Sequence, residues 1–222
     1  MIEDIMRFLP LLLEGLRTTC LVTVLGIVLA VATAVPAGLA RNSGNLVARL
    51  IAGAFIEFFR GTSALVQLYW IFFALPLVGI SFSPLAAGVI ALGLNVGAYG
   101  AEIVRSGLNN VPLGQREAAL SLNLSARDRL VLIIMPQALP IMVRPFNNLF
   151  IQLLKGTSLV SLVTLADITY QAKLIRTDTG QSALVFGLAL IIYFGLSWLI
   201  TLGMTRVGDL VDYRKRAARS SS

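Results

Sequence analysis

The sequence Gly114–Ala119, which reads GQREAA, decides how the whole chain is organised. It lies within a polar segment, residues 107–130, that separates long apolar runs. A polar segment between membrane-spanning runs is costly in hydrocarbon, so this one must lie outside the bilayer. We therefore expect residues 107–130 to present a rigid helical surface to a soluble partner.

Two short helices are encoded locally in this segment. Pro112 suits the first position of a helix, and strong helix formers follow it. Asn123 is one of the few non-glycine residues that tolerate the left-handed conformation that ends a helix. Ser125, with Asp128 three positions later, forms a capping box that begins the second helix. The segment therefore predicts a helix-turn-helix.

Composition identifies the chain as an integral membrane protein with a single domain, residues 1–222. Of its 222 residues, 57% are hydrophobic and 13% are charged, and the mean hydropathy is +0.84. A soluble domain of this size would be far less apolar. The net charge of +7 might indicate nucleic acid, but the cations cluster beside apolar runs. Membrane topology explains that clustering better, so we expect no nucleic-acid partner.

The residue types that most often carry catalysis are scarce. The sequence has no histidine and a single cysteine, Cys20, so it has no disulfide framework of its own. No cluster of cysteine and carboxylate residues has metal-ligand spacing, and the phosphate-binding pattern G-x-x-x-x-G-K-S/T does not occur. We expect a non-catalytic chain with no cofactor and no metal.

Long uncharged runs predict an all-α protein with about five transmembrane helices. The run 18–40 is long enough to cross a bilayer, and the run 61–101 is about twice that length. Pro76 and Pro84, with the polar residues between them, divide the second run into two spans joined by a tight turn. The predicted spans are 14–40, 55–78, 84–104, 138–163 and 182–205.

The start of the fourth apolar run is interrupted by three prolines, Pro136, Pro140 and Pro145. Proline removes a helical hydrogen bond and often ends or kinks a helix. We therefore expect the fourth span to begin near residue 138, and residues 130–137 to run along the membrane interface.

The positions of the arginines and lysines predict the orientation. Arg41 and Arg49 follow the first span, and the residues after the last span are rich in arginine and lysine. Cytoplasmic segments carry such an excess of positive charge, so the C-terminus and the 107–130 segment lie in the cytoplasm. With five spans, the N-terminus then lies outside.

Several positions in the second and third spans are informative. Gly93, Gly97 and Ala101 recur at intervals of four residues, which predicts close packing of two helices. Asn95 and Tyr99 place polar groups within a span, where an amide needs a partner helix or a hydrated cavity. Residues 57–60 read EFFR, and we interpret Glu57 and Arg60 as an ion pair at the membrane interface.

A polar stripe follows one face of the fourth span. At 100° per residue from Arg144, Asn148 lies at about 40°, Gln152 at about 80° and Lys155 at about 20°. Asn147 lies about 60° to the other side, and the opposite face is apolar. The stripe either lines a translocation route, or its charged ends reach the two interfaces while its amides join helices. The sequence leaves both interpretations open.

The central segment resembles a known family signature. Glu117-Ala118-Ala119, with Asn123 and Ile133-Ile134-Met135-Pro136 at the expected distances, is similar to the EAA motif of ATP-binding-cassette (ABC) importer permeases. The runs 111–119, 136–139 and 57–62 resemble the polar amino acid branch of that family. Asn123 stands where the family usually has glycine, and Met135-Pro136 stands where it usually has Leu-Pro; both differences are conservative.

This resemblance implies a type I ABC importer permease fold with a cytoplasmic coupling helix in a bacterial inner membrane. It implies two ATPase subunits, a second permease subunit that is identical or paralogous, and an extracytoplasmic solute-binding protein. It implies transport by alternating access, driven by the ATPase subunits. The residues it assigns to ATPase coupling are Gly114, Gln115, Glu117, Ala118, Ala119 and Asn123. The candidate path residues are Asn95, Tyr99, Arg144, Asn147, Asn148, Gln152 and Lys155.

The resemblance also bears on the solute, which would be small and zwitterionic. Residues 66–68, 92–100, Asn123 and 155–162 look most like permeases for ectoine and hydroxyectoine, and ordinary polar amino acids are the alternative. Relatives often carry an acidic residue after the lysine, whereas here Gly156 follows Lys155. An ion-coupled carrier or channel, and a scaffold without transport, are more distant alternatives; an odd number of spans and the lack of a mid-membrane carboxylate count against a carrier.

Overall fold

The computed structural model describes the backbone of residues 2–212 and the side chains of residues 8–212. The arginines and lysines predicted to orient the C-terminus lie outside the described residues, apart from Arg206. The described elements are helical, in the order α1 (Ile2–Arg41), α2 (Leu46–Gly61), α3 (Ala64–Tyr69), α4 (Pro84–Asn109), α5 (Leu113–Ser121), α6 (Ala126–Asp128), α7 (Met135–Gly156), α8 (Ile168–Thr179) and α9 (Ser182–Val211).

Four helical stretches are long and apolar enough to cross a membrane. They are Phe8–Arg41, Pro84–Asn109, Ala126–Val163 and Ser182–Val211. A fifth crossing is formed if the bent pair Leu46–Gly61 and Ala64–Val78 counts as one span. The predicted class, an all-α integral membrane protein with about five spans, is confirmed.

The central contact of the fold is between α1 and α4. A Cβ atom built on Gly93 would lie 2.9 Å from Leu29 Cδ2, and one built on Gly97 would collide with Thr33 Oγ1. Only glycine lets the two backbones approach this closely, so the prediction of close packing at these small residues is confirmed. The main core, which includes Val22, Leu92, Val96 and Leu153, therefore lies between α1, α4 and α7.

The second predicted span differs from the structure. A single helix was expected over 55–78, but α2 ends at Gly61 and α3 begins at Ala64, and their axes differ by 100°. Thr62 and Ser63 between them are extended, with ψ of 153° and 133°. The absence of charge in this run did not indicate the break, at which Gln67 of the same run and Asn95 of α4 both donate to the Phe59 carbonyl.

The fourth predicted span also differs. The helix does not begin near residue 138: it runs without interruption from Ala126 to Gly156, so residues 130–137 belong to the same helix. The turn Arg129–Ile134 is wider than an α-helical turn, and Met135 N donates to the carbonyl of Leu130. This widened turn comes directly before Pro136, which has no N–H to donate. Pro140 and Pro145 lie inside the helix without ending it.

Candidate coupling and transport surfaces

Helix α5 is short, polar and exposed. Gly114, Gln115, Glu117 and Ala118 are exposed, while Ala119 is buried beneath them. The helix begins at Leu113 rather than at Pro112, which precedes it with an extended ψ of 139°. The prediction for Pro112 was therefore wrong by one position. The exposed side of α5 leaves a polar surface available to another molecule.

Hydrogen bonds fix α5 to the two neighbouring membrane helices. The Arg116 guanidinium donates to the carbonyl of Leu108 near the end of α4. Gln137 Nε2, at the start of α7, donates to Gln115 Oε1 at 3.5 Å and to the carbonyl of Ile133 at 2.9 Å. Helix α5 therefore contacts both α4 and α7 through side-chain hydrogen bonds.

The left-handed turn at Asn123 and the cap at Ser125 are confirmed, but Asp128 Oδ2 accepts from Ser125 Oγ at 2.6 Å rather than from Ser125 N, so the reciprocal half of the predicted capping box is not formed. Asn123 adopts the left-handed conformation with a φ of 53°. Its N–H donates to the carbonyl of Leu120 at 2.8 Å, and Leu124 N donates to the carbonyl of Ala119 at 3.2 Å, which is the Schellman pattern. Ser125 Oγ accepts from Asp128 N at 3.1 Å and so caps the next helix. These two caps set the angle between α5 and the helix that follows it.

The polar stripe of α7 is exposed on the surface of the subunit. Arg144, Asn148, Gln152 and Lys155 are exposed. The apolar residues Leu149, Phe150 and Leu153, on the opposite face, are buried. The polar stripe therefore lies on the outer surface of the subunit.

Three of the predicted path residues share one cleft. A cavity of about 740 Å³ between α7 and α9 is lined by Arg144, Asn147 and Asn148 on one side and by Thr201 and Thr205 on the other. Asp209 and Asp212 lie at the end of the same cleft. The Asn147 Oδ1 atom is buried and has no hydrogen-bond partner among the described residues. Gln152 and Lys155 do not line this cleft.

Asn95 and Tyr99 contact α2 instead of joining that cleft. Asn95 Nδ2 donates to the main-chain carbonyl of Phe59 at 2.8 Å, and the Tyr99 hydroxyl donates to that of Arg60 at 3.5 Å. Of the two environments that the sequence allowed for the Asn95 amide, the structure gives it a partner helix. Both side chains therefore donate hydrogen bonds to main-chain carbonyls in the last turn of α2.

Gln67 belongs to the same arrangement and was missed by the sequence reasoning. Its Nε2 atom donates to Thr62 Oγ1 at 2.6 Å and to the Phe59 carbonyl at 3.0 Å. Its Oε1 atom is buried and has no partner among the described residues. In the sequence, the feature that could have indicated this role is that Gln67 is the single amide residue within the apolar run 64–79.

The expected ion pair between Glu57 and Arg60 is not formed. Glu57 Oε1 lies 3.4 Å from Arg41 Nη2 across the turn between α1 and α2. The Arg41 guanidinium also donates to the carbonyl of Arg49 at 3.3 Å and lies against Gly53, where a Cβ atom would collide with it. Arg41 reaches Glu57 because the chain turns back after α1, which local sequence spacing does not reveal.

A buried polar cluster lies between the fourth and fifth spans. Asp167 is fully buried, caps α8 by accepting from Tyr170 N at 2.8 Å, and accepts from the Tyr193 hydroxyl at 3.2 Å. Burial raises the pKa of the Asp167 carboxyl, and the hydrogen bonds from Tyr170, Thr169 and Tyr193 partly offset that rise. Ile168 N donates to Thr19 Oγ1 at 3.3 Å, so the cluster also joins α8 to α1.

Within residues 2–212, no group of three or more cysteine or carboxylate side chains is placed to hold a metal ion. The features that are present are a rigid polar helix fixed to two long membrane helices, a broken span and an exposed intramembrane polar stripe. Together they are features of a multi-pass membrane subunit with a polar helix outside its spans. The comparisons with known proteins agree: the family model described as binding-protein-dependent transport system inner membrane component matches residues 22–216, and the chain belongs to this family.

Individual relatives extend this result. The chain is 44% identical over 180 residues to a probable amino-acid ABC transporter permease, y4tF, of Sinorhizobium fredii, covering 78% of this chain and 76% of the relative. It is 34% identical to the L-cystine permease TcyB of Bacillus subtilis, over 88% of this chain and 84% of that protein. It is 33% identical to the glutamine permease GlnP of Escherichia coli K12, over 90% of this chain and 92% of that protein.

Solved structures give the same fold. A crystal structure of an amino acid ABC transporter with histidines has a chain that matches with a TM-score of 0.80 and 33% identity, covering 95% of this chain and 96% of that one. A chain of the methionine transporter MetNI, in an inward-facing conformation, matches with a TM-score of 0.75 and 21% identity, covering 91% of this chain and 97% of that one. It therefore shares the fold. The chain is a multi-pass inner-membrane permease subunit of an amino acid ABC importer.

Proposed function

We propose that this subunit moves a small zwitterionic solute into the cytoplasm, with ectoine or hydroxyectoine as the first candidate. The stretches 66–68, 92–100 and 155–162 support this choice because they resemble permeases for those solutes. A polar amino acid of the glutamate, glutamine, histidine or arginine type is the second candidate. The relatives named for glutamine and L-cystine favour it.

The observation that carries the proposal is the attachment of α5. Arg116 and Gln137 join this exposed helix to α4 and α7, so a force applied to α5 reaches two membrane helices. We assign Gly114, Gln115, Glu117, Ala118 and Ala119 to the docking surface for an ATPase subunit, and Asn123 to the turn that orients it. The transporter then needs two ATPase subunits, a second permease, identical or paralogous, and an extracytoplasmic solute-binding protein.

Transport follows from movement of the two permeases against each other. ATP binding draws the ATPase subunits together, α5 moves with them, and α4 and α7 rotate so that the cavity opens to the other side of the membrane. In this arrangement α5 and the C-terminus face the cytoplasm, and the N-terminus lies outside.

The stripe of α7 is assigned to the translocation route. Polar side chains exposed on an intramembrane surface are costly in lipid and are tolerated where they face protein or water. Arg144, Asn147 and Asn148 already line a cleft, and Gln152 and Lys155 extend the stripe along the same helix. The second permease would close the open side of this surface.

Two measurements test the proposal. Calorimetric titration of the cognate binding protein with ectoine, hydroxyectoine and the polar amino acids identifies the solute; we expect saturable binding of ectoine or hydroxyectoine. Uptake of that solute into proteoliposomes should require the permease, the ATPase, the binding protein and internal ATP. Tight binding of one amino acid instead would select the second candidate, and full uptake by the permease alone would overturn the ATP-driven mechanism.

A further inference from the structure

The cleft between α7 and α9 lies between two antiparallel helices. A Cβ atom built on Gly208 would lie 3.5 Å from Val143 Cγ1, and the hydroxyl oxygens of Thr157 and Tyr193 lie 3.5 Å apart. Thr157 follows Val143 by 14 residues, whereas Tyr193 precedes Gly208 by 15 residues. The two helices therefore run in opposite directions at nearly equal pace, and the heights of their side chains can be compared.

This register places polar side chains of the two helices close to one another in height. Measured from the contact between Val143 and Gly208 at 1.5 Å per residue, Arg144 lies about 1.5 Å and Asn148 about 7.5 Å along α7. In the same direction, Thr205 lies about 4.5 Å and Thr201 about 10.5 Å along α9. All four side chains line the cleft, so its two walls present polar groups within about 9 Å along the helix axes.

The α7 wall offers a cation and an amide. The side chains of Arg144 and Asn148 are exposed, and within residues 8–212 neither forms a hydrogen bond or an ion pair. A guanidinium carries five N–H donors and no acceptor. It can donate two parallel hydrogen bonds to one carboxylate. This wall therefore fits an anionic group, and a carboxylate in particular.

The α9 wall offers acceptors. Thr201 Oγ1 donates to the carbonyl of Ser197 at 3.0 Å, and Thr205 Oγ1 donates to the carbonyl of Thr201 at 2.8 Å. A hydroxyl has a single proton, so both threonines use theirs within the helix and present only lone pairs to the cleft. This wall therefore fits a group that carries N–H donors.

We propose that the cleft holds the transported solute with its carboxylate on Arg144 and its N–H donors on Thr201 and Thr205. This assignment rests on the proposed function and adds a rule of selection: the solute is a zwitterion whose cationic group carries N–H. Ectoine and the polar amino acids meet both conditions. Glycine betaine carries a carboxylate, but its quaternary ammonium has no N–H to donate, so the cleft should reject it.

The first experiment measures binding to the complex of permease and ATPase in phosphatidylcholine nanodiscs. The binding protein is left out because it would impose its own selectivity. The probes are tritiated ectoine and tritiated glutamine, and the unlabelled competitors are the free acids, their carboxyl methyl esters and glycine betaine. We expect one probe to bind, and its ester and glycine betaine to compete about tenfold more weakly than the free acid, or less, because each lacks one charge-assisted hydrogen bond.

Variants connect this selectivity to the two walls. Arg144→Gln should weaken binding of the free acid about tenfold or more and leave binding of the ester unchanged, since the ester has already lost the group that Arg144 binds. Thr201→Val and Thr205→Val should each weaken binding of the free acid about threefold. The controls Arg176→Gln and Thr177→Val change exposed residues of α8 and should match the wild type. Thr177 Oγ1 also donates to the carbonyl four residues earlier, at 2.9 Å.

Several outcomes would overturn the assignment. Equal losses of acid and ester binding in Arg144→Gln would show that the residue acts through the structure and not through the carboxylate. Unchanged binding in that variant, or competition by glycine betaine as strong as by the free acid, would also overturn it. So would a wild-type complex that binds neither probe; retention of copurified phosphatidylethanolamine by the wild type and not by Arg144→Gln would then assign the cleft to a lipid headgroup.

Uptake separates this assignment from the proposed function. In proteoliposomes with the ATPase, the binding protein and internal ATP, we expect Arg144→Gln to lower uptake of the transported probe by about tenfold or more. Uptake at the wild-type rate by this variant would leave the proposed function standing and remove the assignment. A wild-type importer that takes up neither probe would refute the proposed function, and the assignment with it.

Discussion

Asn95 Nδ2 donates a hydrogen bond of 2.8 Å to the main-chain carbonyl of Phe59, and this bond joins the middle of α4 to the end of α2. The same carbonyl accepts from Gln67 Nε2 at 3.0 Å. A broken helix leaves carbonyls without intrahelical partners, and in hydrocarbon each unsatisfied group costs several kcal/mol. These two amides therefore make the break at Thr62 and Ser63 tolerable within the membrane.

The first prediction concerns this bond. Asn95→Leu should destabilise the purified complex by about 1–3 kcal/mol, because it removes a buried donor and leaves the Phe59 carbonyl with one partner. The measurement is the thermal unfolding midpoint, followed by tryptophan fluorescence in detergent. Asn148→Leu, which removes an exposed amide, is the matched control and should leave the midpoint unchanged. A midpoint for Asn95→Leu equal to that of the wild type would show that the bond contributes nothing.

The second prediction tests the coupling helix. Glu117 is exposed, and the contact that involves it is a bond from Ser121 Oγ to its main-chain carbonyl at 3.1 Å. Glu117→Lys should therefore leave the chain folded and inserted in the membrane, but it should abolish solute uptake because it reverses the charge of the docking surface. Uptake and ATP hydrolysis are measured in proteoliposomes with all partners. Uptake at the wild-type rate would remove Glu117 from the coupling role.

The third prediction concerns the turn after α5. Asn123 has a φ of 53°, which is strained for a β-branched residue and free of strain for glycine. Asn123→Val should cost about 1–2 kcal/mol of local stability and reduce the uptake obtained per ATP hydrolysed, whereas Asn123→Gly should behave like the wild type. Hydrogen exchange of residues 113–124 provides the stability measurement. Equal exchange in the two variants would contradict the prediction.

The fourth prediction tests the stripe of α7. Asn148→Leu and Lys155→Leu should each change the uptake rate or the choice of solute, since both side chains are exposed on the proposed route. Leu149→Ala, on the buried face, should lower the stability of the complex by about 2–5 kcal/mol without changing solute choice. Competition between ectoine and glutamine for uptake gives the comparison. If all three variants change solute choice equally, the stripe has a packing role.

The fifth prediction is a pH dependence centred on Asp167. Burial raises the pKa of its carboxyl in the folded protein above the unfolded value, so the folded state binds the proton more tightly. The contribution of Asp167 to stability is then fully present below the unfolded pKa of about 3.9 and is lost as the pH rises through the folded pKa. Asp167→Asn keeps the side-chain acceptor that caps α8 but cannot titrate.

The measurement is the unfolding midpoint of the wild type and of Asp167→Asn between pH 4.5 and pH 8. We expect the wild type to lose stability relative to Asp167→Asn as the pH rises across this range. Asp178→Asn, which changes an exposed carboxylate of the same helix, is the control and should follow the wild type. Parallel curves for the wild type and Asp167→Asn would refute the prediction.

Features that depend on neighbouring residues could be predicted from the sequence. The cap at Ser125, the left-handed Asn123 and the small-residue spacing of Gly93 and Gly97 are all confirmed. Each depends on residues within one or two helical turns, or on the absence of a side chain. For the same reason, the long apolar runs were sufficient to predict an all-α membrane protein.

Features that depend on distant residues could not be predicted. Nothing near Arg60 in the sequence indicates that Tyr99, 39 residues later, lies under its guanidinium, or that Glu57 pairs with Arg41 instead. The break of the second span also involves a distant residue, because Asn95 donates to the Phe59 carbonyl, 36 residues earlier in the chain.

The sequence by itself determined the membrane class, the polar helix α5 and its caps, since hydrophobicity, local hydrogen bonding and backbone preference act over a few residues. Only the tertiary structure decided where the second span breaks and which polar groups line the cleft between α7 and α9. A buried carbonyl takes its partner from whichever helix packs against it, and that choice is made by the packing of the whole chain.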